Sequence, residues 1–445
     1  MKRIMLAAMH SGSGKTVVTC GLLRAFQRRG LAVESFKCGP DYIDPMFHRR
    51  VLGLPGRNLD LFLQGEAGVR DTVSKQTAGL ALVEGAMGLY DGVNGTDSAS
   101  AWHAAEVLDL PVVLVVRPRG VSLTLAAQIR GMLAFRSPSH IAGAILTDCS
   151  SMLYAHLQPI LASTGIRTLG FLPPMAEAAF ESRHLGLVKP DEVADLQRRF
   201  DVIARQMEET VDLDGLLELA AECAEERSGP MPPARCTIAV ARDEAFCFYY
   251  PDSLDALRSA GAALRFFSPL RDTPPDGVHG LYLGGGYPEL YGEELSRNTA
   301  VADWVRKAVA DGMPTVAECG GFLYLLERLQ DGSGREWPMA GSFPGGSFPT
   351  GSLRRFGYLT LTGREDSLLF RQGEPVPAHE FHYWEAEETG DALLAEKPSG
   401  RTWHCGYVSP SLYAGFPHLH LGGPAPLAGR FAEAAVRYRE GHAWN

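Results

Sequence analysis

The chain has 445 residues, 45% of them hydrophobic, and a formal net charge of −10 at pH 7. That length is too great for one ordinary core and suits two or three domains. Acids and bases are mixed without a basic stripe or arm, which argues against a nucleic-acid partner, and no apolar run reaches bilayer-spanning length.

The segment 1–9 starts with basic residues and an apolar stretch, as a signal peptide does, but the stretch is short and runs straight into a glycine loop. It predicts a first buried strand. Short aliphatic runs follow at 33–37, 80–84, 112–116, 142–146 and 167–172, each bounded by Gly, Pro or Asp, and segments 17–28 and 124–135 have helical spacing. This βαβ rhythm predicts a parallel sheet covered on both faces. Residues 191–227 read as a charged helical close to the first domain. The Pro-rich stretch at 225–234 reads as a linker. We therefore expect domains at 1–228 and 236–445, joined by 229–235. Strands resume at 237–241, 263–267, 280–283 and 315–318. Beyond about residue 335 the pattern predicts short strands separated by Gly- and Pro-rich segments such as 341–351. The eight cysteines (20, 38, 149, 223, 236, 247, 319, 405) lack CxxC spacing. They read as reduced thiols of a cytoplasmic protein, not as a disulfide framework or a zinc site.

Two segments carry chemistry. Ser11-Gly12-Ser13-Gly14-Lys15-Thr16 lies between the first strand and a helix. Its backbone N–H groups can cradle phosphates, Lys15 can reach the β- and γ-phosphates, and the Thr16 hydroxyl can bind Mg²⁺. The usual first glycine of such a loop is missing, since Ala8 and Met9 stand there. Magnesium also needs carboxylates. Glu84 ends a strand, Asp41 and Asp44 follow another, and Asp91 lies in a Gly-rich turn, all at the carboxyl edge where open α/β sheets bind ligands.

The second segment is Thr315-Val316-Ala317-Glu318-Cys319-Gly320-Gly321. Strand, sharp turn and helix in that order predict a nucleophile elbow, with the Cys319 thiolate favoured by the helix N-terminus. A base is required, and His379, His382, His404, His418 and His420 all remain candidates. The glycine turn at 284–286 offers N–H groups of Gly285 and Gly286 for an oxyanion hole. A nucleotide loop and a nucleophile in one chain suggest an enzyme that activates a group with ATP and supplies it with a nucleophile made elsewhere in the same molecule.

Over nearly its whole length the chain resembles the cobyrinate a,c-diamide synthase family. The resemblance rests on Ser-Gly-Ser-Gly-Lys-Thr at 11–16, Phe-Lys-Cys-Gly-Pro-Asp-Tyr-Ile-Asp-Pro at 36–45, Asn-Leu-Asp at 58–60 and Val-Glu-Gly-Ala-Met-Gly-Leu-Tyr-Asp-Gly at 83–92. It continues through Arg183-His184-Leu185-Gly186-Leu187, the strings at 241–250 and 266–270, Gly-Gly-Gly-Tyr-Pro-Glu at 284–289 and His-Glu-Phe-His-Tyr at 379–383.

It implies an α/β protein of two doubly wound domains, an N-terminal P-loop domain of dethiobiotin-synthetase type and a C-terminal class I-like glutamine amidotransferase. The family's nucleophile matches Cys319 and its histidine matches His418. The preceding Ala-Gly-Phe-Pro replaces a more usual Ser-Tyr pair, so His420 stays open. The resemblance implies a ligase that uses ATP·Mg²⁺ to phosphorylate the a and c carboxylates of cobyrinate and displaces the phosphate with ammonia from glutamine. Thr16, Glu84 and Asp44 are expected at the metal, Asp41 and Asp91 at the substrate. Its partners are small molecules, with no nucleic acid, no membrane and a homodimer allowed. Nickel sirohydrochlorin or hydrogenobyrinate as substrate, and a partitioning-type ATPase switch, are the rival readings.

Overall fold

The computed structural model describes residues 1–178, 182–183, 186–187, 193–223 and 231–441. Residues 184–185 of the string at 183–187, both ends of the expected helix at 191–227 and the linker up to residue 230 lie outside the described residues. The chain divides into two compact units, Met1–Leu61 with Glu66–Ser228, and Phe62–Gly65 with Gly229–Asn445.

The first unit is built on seven parallel strands: β1 (Lys2–Ala8), β2 (Val33–Cys38), β3 (Arg57–Leu59), β4 (Leu80–Glu84), β5 (Val112–Val116), β6 (Ile141–Thr147) and β7 (Arg167–Leu172). They lie in the order β3-β2-β4-β1-β5-β6-β7. The runs read as continuous apolar blocks because both faces are covered. In β1, Ile4 and Leu6 enter one core while Met5 and Ala7 enter the other, and β5 divides in the same way between Val113/Val115 and Val112/Leu114/Val116. Helix α1 (Lys15–Arg28) follows β1 and α2 (Ile43–Leu52) follows β2. The predicted closing helix is two helices, Leu196–Thr210 and Leu213–Leu219, broken where Asp212 caps the second by accepting from the Gly215 N–H. Ala221–Glu222 then pairs antiparallel with the start of β1.

The second unit has a six-stranded sheet in the order Ala262–Phe267, Cys236–Ala241, Gly280–Leu283, Thr315–Glu318, Leu412–Gly415, Tyr407–Ser409. All neighbours are parallel except the last pair. A mixed seven-stranded sheet joins it. Here the expectation of short strands broken at 341–351 is corrected: one irregular strand, Phe343–Gly363, runs through that segment and pairs along Pro375–Ala386. Its register slips between Pro349 and Gly357, and Gly345, Gly351 and Gly357 have positive φ. Glycines that resemble breakers in the sequence here serve as bulges that bend a continuous strand. Among the described residues no helix is long and apolar enough to cross a membrane.

Candidate active sites

In the first unit the loop after β1 turns at Gly12 and Gly14, with φ of +77° and +88°. These are left-handed conformations that favour glycine. Thr147 Oγ1, at the end of β6, donates to the Ser13 carbonyl at 2.9 Å, and Ser13 Oγ donates to the His10 carbonyl at 2.9 Å. The free N-terminal end of α1 therefore opens on a loop pinned from outside, the arrangement that binds phosphate. Lys15 is buried, and its Nζ donates to the Met87 carbonyl at 2.6 Å. Burial, reinforced by the nearby charge of Lys37, lowers its pKa to about 8.

Glu84 lies at the end of β4, as predicted, and is fully buried. Thr16 Oγ1 donates to its Oε1 at 2.8 Å, and Lys37 Nζ reaches the same oxygen at 2.9 Å. His48 Nε2 lies 2.8 Å from Oε2. Burial pushes the Glu84 carboxyl up, but Lys37 and His48 outweigh it and hold the group well below the usual carboxylate range. Lys37 also holds Asp44 at 2.5 Å.

Thr16 and Glu84, two of the three expected metal ligands, are thus in contact, and Asp44 joins them through Lys37. Hard oxygen donors of this kind suit Mg²⁺, which takes few protein ligands beside phosphates and water. Among the described residues no cluster of three or more His, Cys, Asp or Glu forms a self-sufficient metal site. The two acids expected at the substrate have backbone roles. Asp41 Oδ1 accepts the N–H groups of Ile43 and Asp44 at 2.8 and 3.2 Å, and Asp91 Oδ2 accepts that of Gly88 at 2.9 Å. Asp91 also lines a cavity of about 770 Å³ beside Ser11 and Gly12, walled by Tyr90 and Phe135 and bordered by Arg117 and Arg119.

In the second unit Cys319 sits at the end of Thr315–Glu318 with φ +48° and ψ −105°. This strained backbone is expected of a nucleophile elbow. Its N–H donates to the Gly415 carbonyl at 2.8 Å. The turn is possible only because glycines follow. A β-carbon on Gly321 would lie 2.1 Å from the Leu283 carbonyl oxygen, and one on Gly320 would lie 2.9 Å from Pro288 and 3.1 Å from the Gly286 nitrogen.

One expectation fails. The six-residue helix Gly320–Leu325 does not secure a thiolate. Burial, aided by the charge of Glu289, pushes the Cys319 thiol up well past the ordinary thiol range, and the Gly320 N–H only partly opposes this. Alkylation of Cys319 by iodoacetamide without glutamine should therefore accelerate about tenfold per pH unit between about pH 7 and 9 without a plateau. Peptide mass spectrometry reads the rate, and a plateau near neutrality would indicate a pre-formed thiolate.

The histidine candidates separate in space. His418 packs its ring on Gly285, where an added β-carbon would lie 2.4 Å from its Cε1. Its Nδ1 lies 3.7 Å from Glu318 Oε2. His420 packs instead against Tyr250, with ring centroids 5.1 Å apart. His379 is paired with His418 across neighbouring strands, and burial followed by the charge of His418 lowers its pKa to about 3. His382 Nε2 lies 2.8 Å from Glu380 Oε1, and its ring stacks on Phe416. His404 lies on the strand Thr402–Cys405. At the expected oxyanion turn, the Gly284 N–H is taken by the Tyr249 hydroxyl at 2.8 Å and the Tyr287 N–H by the Ala245 carbonyl, while the Gly286 nitrogen faces Gly320.

Sequence reasoning missed Lys37, His48, Tyr249 and Glu318. A signal existed for two of them: Lys37 and Glu318 both end apolar strands that are covered on both faces.

Two family models match. A CobQ/CobB/MinD/ParA nucleotide binding domain covers residues 4–188, and a CobB/CobQ-like glutamine amidotransferase domain covers 237–426. The cobyrinate a,c-diamide synthase of Clostridium acetobutylicum is 38% identical over 436 residues, covering 95% of this chain and 98% of that protein. Proteins of the same name from Streptococcus sanguinis and Listeria monocytogenes serovar 1/2a are 38% and 37% identical, each covering 95% of this chain and 96% of the relative. A solved structure, PurLQS from Thermotoga maritima, covers 47% of the chain and 100% of its own at 15% identity and TM-score 0.30, a likeness that carries no argument. The chain belongs to the cobyrinate a,c-diamide synthase family and is a glutamine-dependent amide-forming ligase with a nucleotide-binding domain.

Proposed function

We propose that this protein amidates the a and c side-chain carboxylates of cobyrinate, using ATP and ammonia released from glutamine, with residues 1–228 as the synthetase domain, 229–235 as the linker and 236–445 as the glutaminase. The observation that carries the reading is the presence in one chain of a phosphate loop closed on a buried carboxylate, Thr16 to Glu84, and a thiol on a strained turn, Cys319. The choice of substrate follows the names of the relatives.

Cys319 Sγ attacks the side-chain amide carbon of glutamine. His418 takes the thiol proton and delivers it to the departing nitrogen, and water then hydrolyses the thioester to glutamate. The N–H groups of Gly285 and Gly286 hold the oxyanion. In the synthetase domain a substrate carboxylate oxygen attacks the γ-phosphorus and ADP leaves. Ammonia adds to the carbonyl of the acyl phosphate, phosphate leaves with that oxygen, and a proton is lost from nitrogen. A bare carboxylate has no comparable leaving group, which is why ATP is consumed. Lys15 stabilises charge on the transferred phosphoryl group. Thr16, Glu84 and Asp44 would hold Mg²⁺, which would neutralise phosphate charge there. Asp41 and Asp91 orient the substrate, and Arg119, with Arg117 beside its partner Asp148, lines the same cavity as Asp91 and gives a polycarboxylate its counter-charge.

The test is mass spectrometry of cobyrinate incubated with enzyme, glutamine, ATP and Mg²⁺, beside hydrogenobyrinate and nickel sirohydrochlorin. Conversion of two carboxylates of cobyrinate to amides is expected. Amidation of another macrocycle alone would overturn the substrate assignment, and ATP hydrolysis without glutamine consumption would overturn the class.

A further inference from the structure

The Cys319 thiol is buried, and that burial pushes its pKa up, so the base beside it is expected to remove a proton rather than accompany a ready-made thiolate. A neutral imidazole does this only if its lone pair faces the thiol, and the tautomer is set by whatever holds the other ring nitrogen. No acid follows His418 closely in the chain: the next residues are Leu419, His420 and Leu421.

We propose that Glu318, the residue immediately before the nucleophile, is the positioning carboxylate of His418, holding the proton on Nδ1 so that Nε2 is the base. Its Oε2 lies 3.7 Å from His418 Nδ1, a gap that a small side-chain rotation closes when a site tightens on substrate. The carboxylate is almost fully buried and fixed on two sides. The Leu419 N–H donates to Oε1 at 3.0 Å, and the Tyr282 hydroxyl donates to Oε2 at 3.2 Å. Its backbone is also tied to the histidine segment, because Glu318 is in register with Gly415 on the neighbouring parallel strand, three residues before His418. One residue pair, Glu318-Cys319, would thus provide both the nucleophile and the group that orients its base, at the end of one strand. The other titratable groups around this pair are Cys319, Tyr249, Tyr282, Tyr413, Glu289, His379 and Glu380.

The inference rests on Cys319 and His418 acting as the glutaminase pair, and Glu318→Gln separates it from a scaffold role. Glutamine keeps an oxygen for the Leu419 N–H, and the Tyr282 hydroxyl can turn to accept from the new NH₂, so a purely structural Glu318 would tolerate it. Its amide NH₂ would instead donate to Nδ1 and force the proton onto Nε2. The expected result is a fall of about 10²–10⁴-fold in glutaminase kcat with KM within a few-fold.

Nitrogen-15 NMR of the wild-type His418 ring gives a second reading that needs no variant to fold. Nδ1–H is expected, and a proton resident on Nε2 overturns the proposal, as does a Glu318→Gln enzyme with wild-type kcat. Full glutaminase activity in Cys319→Ala or His418→Ala would instead overturn the underlying pair.

Discussion

Cys319→Ala is expected to lose at least about 10⁴-fold in glutamine-dependent turnover while keeping ammonia-dependent turnover within a few-fold. Removing the sulfur removes the only atom able to form the thioester, and the remaining oxyanion and binding contacts cannot replace a covalent step. Alanine is the informative substitution here. Residue 319 has φ +48°, a conformation that any β-carbon resists. Alanine retains that strain and so retains the shape of the turn, whereas glycine would relax it. The N–H of residue 319 still reaches the Gly415 carbonyl, and the glycines that pack under the turn are untouched. Ammonia supplied at mildly alkaline pH, where the free base is present, enters after the missing step. Coupled assays of ADP, glutamate and product amide read both activities on one preparation. An equal loss of both would show that the two units do not divide the reaction as proposed.

The sequence carried the central sheet strands clearly because they are short buried runs with both faces covered, and burial on two faces leaves an unbroken apolar block. β1 and Cys236–Ala241 are of this kind: successive residues of each enter opposite cores. The phosphate loop and the thiol turn were legible for a different reason, since both need glycine at fixed places and a strand just before. The ion cluster around Glu84 was not legible. Lys37 belongs to β2 and His48 to α2, and only the parallel register of β2 with β4, which sets Lys37 beside Glu84, brings them together. The thiol's protonation was misjudged because motif reasoning credits a helix N-terminus without knowing how deeply the sulfur is buried. The strand Phe343–Gly363 was hidden because its glycines sit at bulges, where composition alone cannot tell a bend from a break.

The second large effect belongs to the other unit. Lys15→Met should reduce ATP-dependent amidation about 10²–10³-fold with either nitrogen source, while glutaminase activity measured without tetrapyrrole stays near wild type. The substitution keeps the length of the side chain and removes only the ammonium, so the loop geometry set by Gly12, Gly14 and the Thr147–Ser13 bond is preserved. The fold should not suffer either. Glu84 keeps Lys37, His48 and Thr16 as partners, and the ammonium removed loses the attraction of Glu84, Asp44 and Asp91 along with the repulsion of Lys37 and the cost of its own burial, contributions that oppose one another. An unchanged melting temperature would therefore accompany the catalytic loss, and together they would assign the defect to the phosphoryl step. Turnover that survives in Lys15→Met would remove this loop from the reaction. A parallel loss of glutaminase would mean that the hydrolysis of glutamine waits on events at the nucleotide.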